Sequence, residues 1–402
     1  MTRPRVLVVA DYYLPGFRAG GPVRAISNTI GRLSADADFS VVTRDHDADR
    51  SRYRNVDVGR WVEGGSARVL YAPRLTPALL QRCVADTACD VIWLNSFFSR
   101  ASIAVLALRR MGRIRQPVLL APRGEFTSTA LALKPRRKAI ALRLLRWTGC
   151  LRPIHWLASS AVEREDVTRT VGARRITSVP ESVAAVPAAD GPWPAKSRRR
   201  LRAVFAARIA PTKNLHFLLE VLARCDGDIH LDIIGPLEDP DYWARCQALM
   251  PRLPAAVSVE YIGEATHRDL QQRLSTYDVM ILPTLGENFG HVIVEAWAAG
   301  CPVLVSDRTP WRQLTANGLG WDVPLDHEPW ISAIGDCLDM GPEAHLAMRR
   351  RVREQARHVW LEGVAGDASL RRLIEGAARR QEFPGRDSVS ELAGVSDGDP
   401  CA

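Results

Sequence analysis

The chain has 402 residues and eight cysteines (83, 89, 150, 225, 246, 301, 337 and 401), none of them in a C-x-x-C pair. Several fall inside apolar helix or strand patterns, where Cys packs as a small hydrophobe, and the usage fits a reducing cytoplasm. No apolar run is long enough to span a membrane, so association with one must be peripheral. The opening MTRPRVLVVADYYLPGF has a basic start. Its apolar run, Val6 to Ala10, is too short for a signal-peptide core and runs straight into Asp11, so it reads as a first strand. There is no G-x-G-x-x-G fingerprint. No aromatic-interleaved RNA motif or helix-turn-helix spacing accompanies the net charge of +9, which sets nucleic acid aside as a partner.

What is present is an ordinary globular composition, 47% hydrophobic and 25% charged, in a chain long enough for two domains. Strand patterns at Arg5–Asp11, Phe39–Thr43, Arg68–Tyr71, Asp90–Leu94, Pro117–Ala121 and Ile154–Ala158 alternate with helical ones at 76–88, 99–111, 135–148 and 161–171. This is the signature of a doubly wound α/β domain. A Pro- and Ala-rich stretch then breaks the periodicity. A second series follows, with strands at 202–207, 229–235, 257–263, 279–283 and 301–305 and helices at 213–224, 240–250, 267–277, 291–299 and 328–338. The expected organisation is a first domain over 1–186, a linker at 187–197, a second domain over 198–365, a helix within 366–382 that returns to the first domain, and a disordered tail at 383–402.

The densest chemistry lies in Asp278 to Asp307, DVMILPTLGENFGHVIVEAWAAGCPVLVSD. It reads as strand, loop, helix closed by Gly300, and strand. A right-handed βαβ unit of this kind leaves the loop at the carboxyl edge of the sheet, with the helix's free N–H groups facing the ligand. That end favours an anion. Glu287 in the loop and Glu295 in the helix suit sugar hydroxyls flanking a diphosphate better than the phosphate itself. At the matching edge of the preceding unit stand Arg208 and Lys213, two cations suited to neutralising a diphosphate leaving group.

Together these residues resemble the retaining glycosyltransferases of family 4. The resemblance rests on R-x4-K at Arg208 and Lys213, and on Gly286-Glu287-Asn288-Phe289-Gly290 through Glu295-Ala296, Ala298, Gly300 and Pro302-Val303. It implies the α/β fold called GT-B, two facing Rossmann-like domains with a donor site in the cleft. It further implies transfer from a nucleotide-diphosphate sugar with retention, as co-substrate rather than cofactor, and with no essential metal. By position, Arg208 and Lys213 would bind the diphosphate, the amides near Phe289, Gly290 and His291 would cap it, Glu295 would hold the ribose and Glu287 the transferred sugar. Gly20 and Gly21 would lie across the cleft from the phosphates, and Gly263 near the base.

The chain also departs from that pattern. Pro122-Arg123-Gly124-Glu125 replaces the histidine that relatives place after the fifth strand, leaving Glu125 as a candidate base and Arg123 as a candidate grip on an acceptor phosphate. A salt bridge to basic neighbours is the competing expectation for Glu125. Asp307-Arg308-Thr309-Pro310-Trp311 replaces the usual G-G-x-x-E. Asp45-His46-Asp47 follows a strand, as a GT-A metal motif would, although acids commonly fill turns. From Arg109 to Arg152 there are twelve Lys or Arg and one acid, Glu125. Within it, Lys134 to Trp147 forms a basic amphipathic helix. At about 100° per residue, Arg136, Arg143 and Arg146 share an arc of roughly 80°, opposite Ile140, Ala141, Leu144 and Leu145. Either it packs with a solvated basic edge, or it docks on an anionic membrane surface.

The expected protein is thus a cytoplasmic enzyme, peripheral at the inner face of the cell membrane, whose acceptor is a glycan or polyprenyl-diphosphate-linked saccharide. A GT-B epimerase or phosphorylase, and a non-catalytic membrane-surface scaffold, are the competing expectations.

Overall fold

The computed structural model describes residues 3–132, 135–152, 154–187 and 193–379. Lys134, the middle of the expected linker and the expected disordered tail lie outside these residues. The first domain is an eight-stranded sheet made of β1 (Arg5–Val9), β2 (Asp38–Arg44), β3 (Trp61–Gly64), β4 (Ala67–Ala72), β5 (Val91–Asn95), β6 (Val118–Ala121), β7 (Ile154–Ala158) and β8 (Ile176–Ser178). Its order is β3-β4-β2-β1-β5-β6-β7-β8, and every pairing is parallel except β3 with β4. Helices cover both faces, which is why Val6–Val9 of β1, Val91–Leu94 of β5 and all of β6 are apolar and buried, and β7 is buried throughout. The edge strands β3 and β8 were not expected. Trp61–Gly64 is half exposed and Ile176–Ser178 has three residues, so neither carries a buried period.

The second sheet contains β9 (Arg200–Ala206), β10 (Asp228–Ile234), β11 (Val257–Gly263), β12 (Val279–Leu282), β13 (Val303–Ser306) and β14 (Gly320–Val323). All pairings are parallel, in the order β11-β10-β9-β12-β13-β14. The first strand of each domain pairs on both sides, β1 with β2 and β5, and β9 with β10 and β12. Chain direction across the sheet reverses there, and a crevice opens at the carboxyl ends of those strands. The expected helix from residue 213 is corrected: Pro211–Lys213 is a 3₁₀ turn, and after Asn214, at φ +63°, the α-helix runs Leu215–Leu222. Lys213 therefore sits on a loop at the sheet edge.

The expected short helix at the end of the chain is also corrected. A single 37-residue helix, Pro342–Ala378, starts on the second domain and finishes on the first. Met348, Val352, Ala356 and Val359 join the second core, while Leu370, Leu373, Ile374 and Ala377 join the first. Its apolar period is hidden in the sequence because charged residues occupy the buried stripe. Arg349 donates to the carbonyls of Ser275 and Gly300, each at 3.1 Å, and to that of Tyr277. Its guanidinium also lies over Trp193, whose indole caps Ala299 O. Asp367 accepts from Thr29 Oγ1 and Arg32 Nη1 at 2.9 Å and from Ser182 Oγ at 3.1 Å.

Asp367→Ala would remove the carboxylate partner of Arg32 and strand the buried Thr29 and Ser182 hydroxyls, at a cost of about 2–4 kcal/mol. The urea-unfolding midpoint, followed by circular dichroism, falls accordingly. A midpoint within error of wild type would show that the tie contributes nothing.

Candidate functional site

Both crevices open on one cleft, which encloses a cavity of about 280 Å³. Two helix N-termini line it, Gly20-Gly21-Pro22 from the first domain and Gly290-His291-Val292 from the second. Gly20 at φ +75° and Gly290 at φ +79° provide the left-handed turns into those helices. The walls touch here: a Cβ on Gly21 would lie 2.3 Å from His291 Cδ2, and one on Gly124 would lie 2.6 Å from Asn288 Cβ. Each helix end brings unpaired backbone N–H groups and the positive end of its dipole, so an anion is favoured in the space between them.

Arg208 and Lys213 follow β9 and line the cavity with Glu287, Phe289 and Gly290. The Lys213 ammonium is ion-paired with Glu287, both largely buried, while Arg208 pairs with Glu238 near the surface. Glu295 is buried one turn into its helix and accepts from Arg24 of the first domain, with His267 Nδ1 3.7 Å away. Its other oxygen, Oε2, is buried without a hydrogen bond. Burial lowers the His267 pKa more than the Glu295 charge raises it. Every candidate donor-site carboxylate is thus held by a cation, and a ligand with hydroxyls and phosphates would exchange for these partners.

Sequence reasoning missed two cleft residues, Arg24 and Glu181. Glu181 follows the short β8 and accepts from Arg123 Nη1 at 2.6 Å, with His291 Nε2 at 3.7 Å. Full burial alone would raise its pKa, but Arg123 and His291 outweigh that and hold it down to about 2. The same contacts correct the expectation for Arg123. Its Nε and Nη2 donate to Asn95 Oδ1 at 3.2 and 2.9 Å, so its guanidinium is committed to Asn95 and Glu181 rather than open to a phosphate.

Glu125 is corrected too. It does not line the cavity, and it accepts from Ser96 Oγ at 2.7 Å and from the amides of Phe97 and Phe98 at 2.5 and 2.9 Å. Burial pushes its carboxyl up against those hydrogen bonds. It clamps the loop after β5 and is in place neither as a base nor as a salt bridge. Gly263, at φ +95°, accepts from Gly235 N at 2.9 Å and stands behind the cavity wall. Asp47 accepts from the amides of Phe17 and Arg18 at 2.9 and 3.1 Å, and Asp45 faces His46, so this triplet braces the loop before Gly20. Trp311, at the departure from the G-G-x-x-E pattern, donates to Phe289 O at 2.6 Å and packs edge-on against Phe289 and Trp297. It buttresses the loop that carries Glu287.

Two facing Rossmann-like sheets with a cation-bearing cleft constitute the GT-B fold. Sucrose-phosphate synthase from Thermosynechococcus elongatus superposes with a TM-score of 0.71 at 17% identity, over 93% of this chain and 100% of that one. Anabaena HepE, solved with UDP and glucose, superposes with a TM-score of 0.67 at 14% identity over the same shares. Residues 194–359, most of the second domain, match the family model "Glycosyl transferases group 1". The D-inositol 3-phosphate glycosyltransferase of Mycobacterium bovis is 28% identical over 200 residues. That match covers 48% of this chain and 41% of the relative's length.

The depressed Glu181 pKa sets a pH dependence. The ordinary carboxyl binds protons first, near 4.5, so stability from the Arg123–Glu181–His291 cluster is complete above that pH and is lost as pH falls toward about 2. The melting temperature of wild type should drop more steeply over that window than that of Glu181→Gln. Parallel curves would remove Glu181 from the acid response.

Proposed function

We propose that the protein is a retaining, family 4 type glycosyltransferase. It moves a sugar from a nucleotide-diphosphate donor to a glycan or polyprenyl-diphosphate-linked saccharide, in the assembly of a cell-surface or exported polysaccharide. The observation that carries this is the convergence of Arg208, Lys213 and the His291 helix end on the cavity that also holds Glu287. The donor diphosphate would sit between the two cations and the helix amides, releasing Glu287 from Lys213 to accept from the sugar's hydroxyls. Glu295 would exchange Arg24 for the ribose hydroxyls. As the anomeric bond breaks, charge grows on the departing diphosphate, where fixed cations and amides stabilise it without reorganising. The acceptor hydroxyl approaches from the same face, which preserves configuration, and passes its proton to the departing phosphate oxygen. These groups supply the role a metal has elsewhere, so added Mn²⁺ leaves the rate unchanged.

Lys213→Ala and Glu287→Ala should each lower kcat by about 100-fold or more with unchanged circular dichroism. Near-normal turnover in both would sink the assignment. Nucleoside diphosphate released without acceptor would point to an epimerase or phosphorylase, and no release from any donor to a scaffold.

The basic helix supports a membrane-facing acceptor. It spans Pro135–Trp147 among the described residues, and only Leu145 of its apolar residues is buried. Ile140, Leu144 and Trp147 are exposed at 60%, 53% and 84%, on one stripe of the helix. Such a stripe bordered by Arg side chains suits the boundary of an anionic bilayer, which would place the enzyme at the inner face of the cell membrane. Leu144→Ser with Trp147→Ser should weaken cosedimentation with phosphatidylglycerol vesicles by about tenfold or more while turnover on a soluble acceptor persists. Equal binding to uncharged phosphatidylcholine vesicles would remove the preference for an anionic surface, and no change in the variant would remove the stripe from membrane binding.

A further inference from the structure

We propose a divalent transition-metal site of the zinc class on the second domain, formed by His230 and Asp232 of β10 and Glu260 of β11. In the parallel register Asp232 is opposite Glu260 and His230 opposite Ser258, so the period of two places all four on one sheet face. One ligand atom from each of His230, Asp232 and Glu260 lies within 4.8 Å of the others. None of these residues lines the catalytic cavity.

The hydrogen bonds around the cluster fix the ligands. His230 Nδ1 is 2.8 Å from Ser258 Oγ, and that hydroxyl is oriented toward Ile229 O at 3.5 Å. In the tautomer in which Nδ1–H donates to that hydroxyl, Nε2 is free to ligate a metal. Nε2 lies 2.9 Å from Asp232 Oδ1, an oxygen buried without a hydrogen bond in a residue only 8% exposed. Asp232 Oδ2 accepts from Tyr277 OH at 2.5 Å, which aims Oδ1 at the imidazole. An ion bound between Nε2 and Oδ1 would satisfy both atoms. The spacing is close to the roughly 3.3 Å edge of a tetrahedron with bonds of about 2.0–2.1 Å. Glu260 is exposed at the mouth and swings in as third ligand, with water as the fourth.

An imidazole with two carboxylates favours a borderline ion over Ca²⁺ or Mg²⁺, which need more oxygens. The ion would staple edge strand β11 to β10. Immediately after β11, Glu264 reaches across the cleft to Arg18 at 2.7 Å, so the staple steadies the strand that delivers this cross-domain contact.

The test uses the full chain stripped by a chelator and titrated with Zn²⁺ by calorimetry. A parallel Co²⁺ titration is followed by its visible absorption. One equivalent should bind, Co²⁺ should give an intense tetrahedral band, and the melting temperature should rise. Glu260→Gln changes only an exposed side chain, and His230→Gln leaves Asp232 in place. Each should weaken binding about tenfold or more and abolish the thermal shift. If wild type binds no metal, the pair is an ordinary imidazolium–carboxylate contact and the site does not exist. If wild type and both variants titrate alike, the metal binds elsewhere and the proposal is equally overturned.

Discussion

The position of the two carboxyl edges depends on one helix, Pro342–Ala378, with a charged residue buried near each domain. Arg349 is fixed by three main-chain carbonyls of the second domain, and Asp367 by Thr29, Arg32 and Ser182 of the first. Neither group has an inexpensive alternative, because a buried guanidinium or carboxylate without its partners loses hydration and gains nothing. The glycines between them allow the approach: a Cβ on Gly363 would lie 3.0 Å from Glu181 O, and one on Gly366 would lie 2.9 Å from Pro180 Cδ. The same contact therefore seats the Pro180–Ser182 segment, and with it the Glu181 carboxylate beside His291. The cross-domain tie and the cleft chemistry share one stretch of backbone.

Within the cleft, electrostatics follow a rule of exchange. Lys213 holds Glu287, Arg24 holds Glu295 and Arg123 holds Glu181, two of these pairs largely buried on both sides. Under the proposed function, a diphosphate entering between the helix N-termini would compete for the cations and sugar or ribose hydroxyls for the carboxylates, so one ligand would satisfy both halves of each broken pair. Arg123 and Glu181 differ from the other two pairs. Asn95 holds the rest of the Arg123 guanidinium, and Glu181 is fully buried with its charge secured well below neutral pH. That pair is built to persist and to present His291 at a fixed angle.

The sequence was most legible where a single period dominates. Buried parallel strands such as Val6–Val9 and Val279–Leu282 declare themselves as apolar runs, and the Glu287 to Gly300 unit declares its loop by Gly290 and its end by Gly300. Legibility fails where the buried surface is polar. The long helix hides its period behind His345, Arg349, Arg353 and Asp367, and so only its last third was expected. Glu181 and Arg24 are invisible for a different reason. Each matters only because another segment, distant in sequence, stands opposite it, and no local spacing encodes that. Glu125 misled in the reverse sense, since a carboxylate beside a basic block reads as chemistry or as a salt bridge. Its oxygens instead satisfy the loop amides of Phe97 and Phe98, a demand set by tertiary position.

The segments that depart from the resemblance noted in the sequence are also where the chain's own side chains close the structure. Trp311 occupies the segment where relatives carry G-G-x-x-E, and its indole N–H holds Phe289 O while its ring fills the space beside Phe289 and Trp297. The main chain there is engaged as well, Glu287 N donating to Arg308 O at 3.1 Å. A loop braced from both sides keeps Glu287 within reach of Lys213. On the opposite wall, Arg123 stands where relatives place histidine, and its charge is spent on Asn95 and Glu181. That wall is thereby neutralised, with His291 of the second domain as a polar group facing it. Under the proposed function, such a wall would favour hydroxyls over a second phosphate.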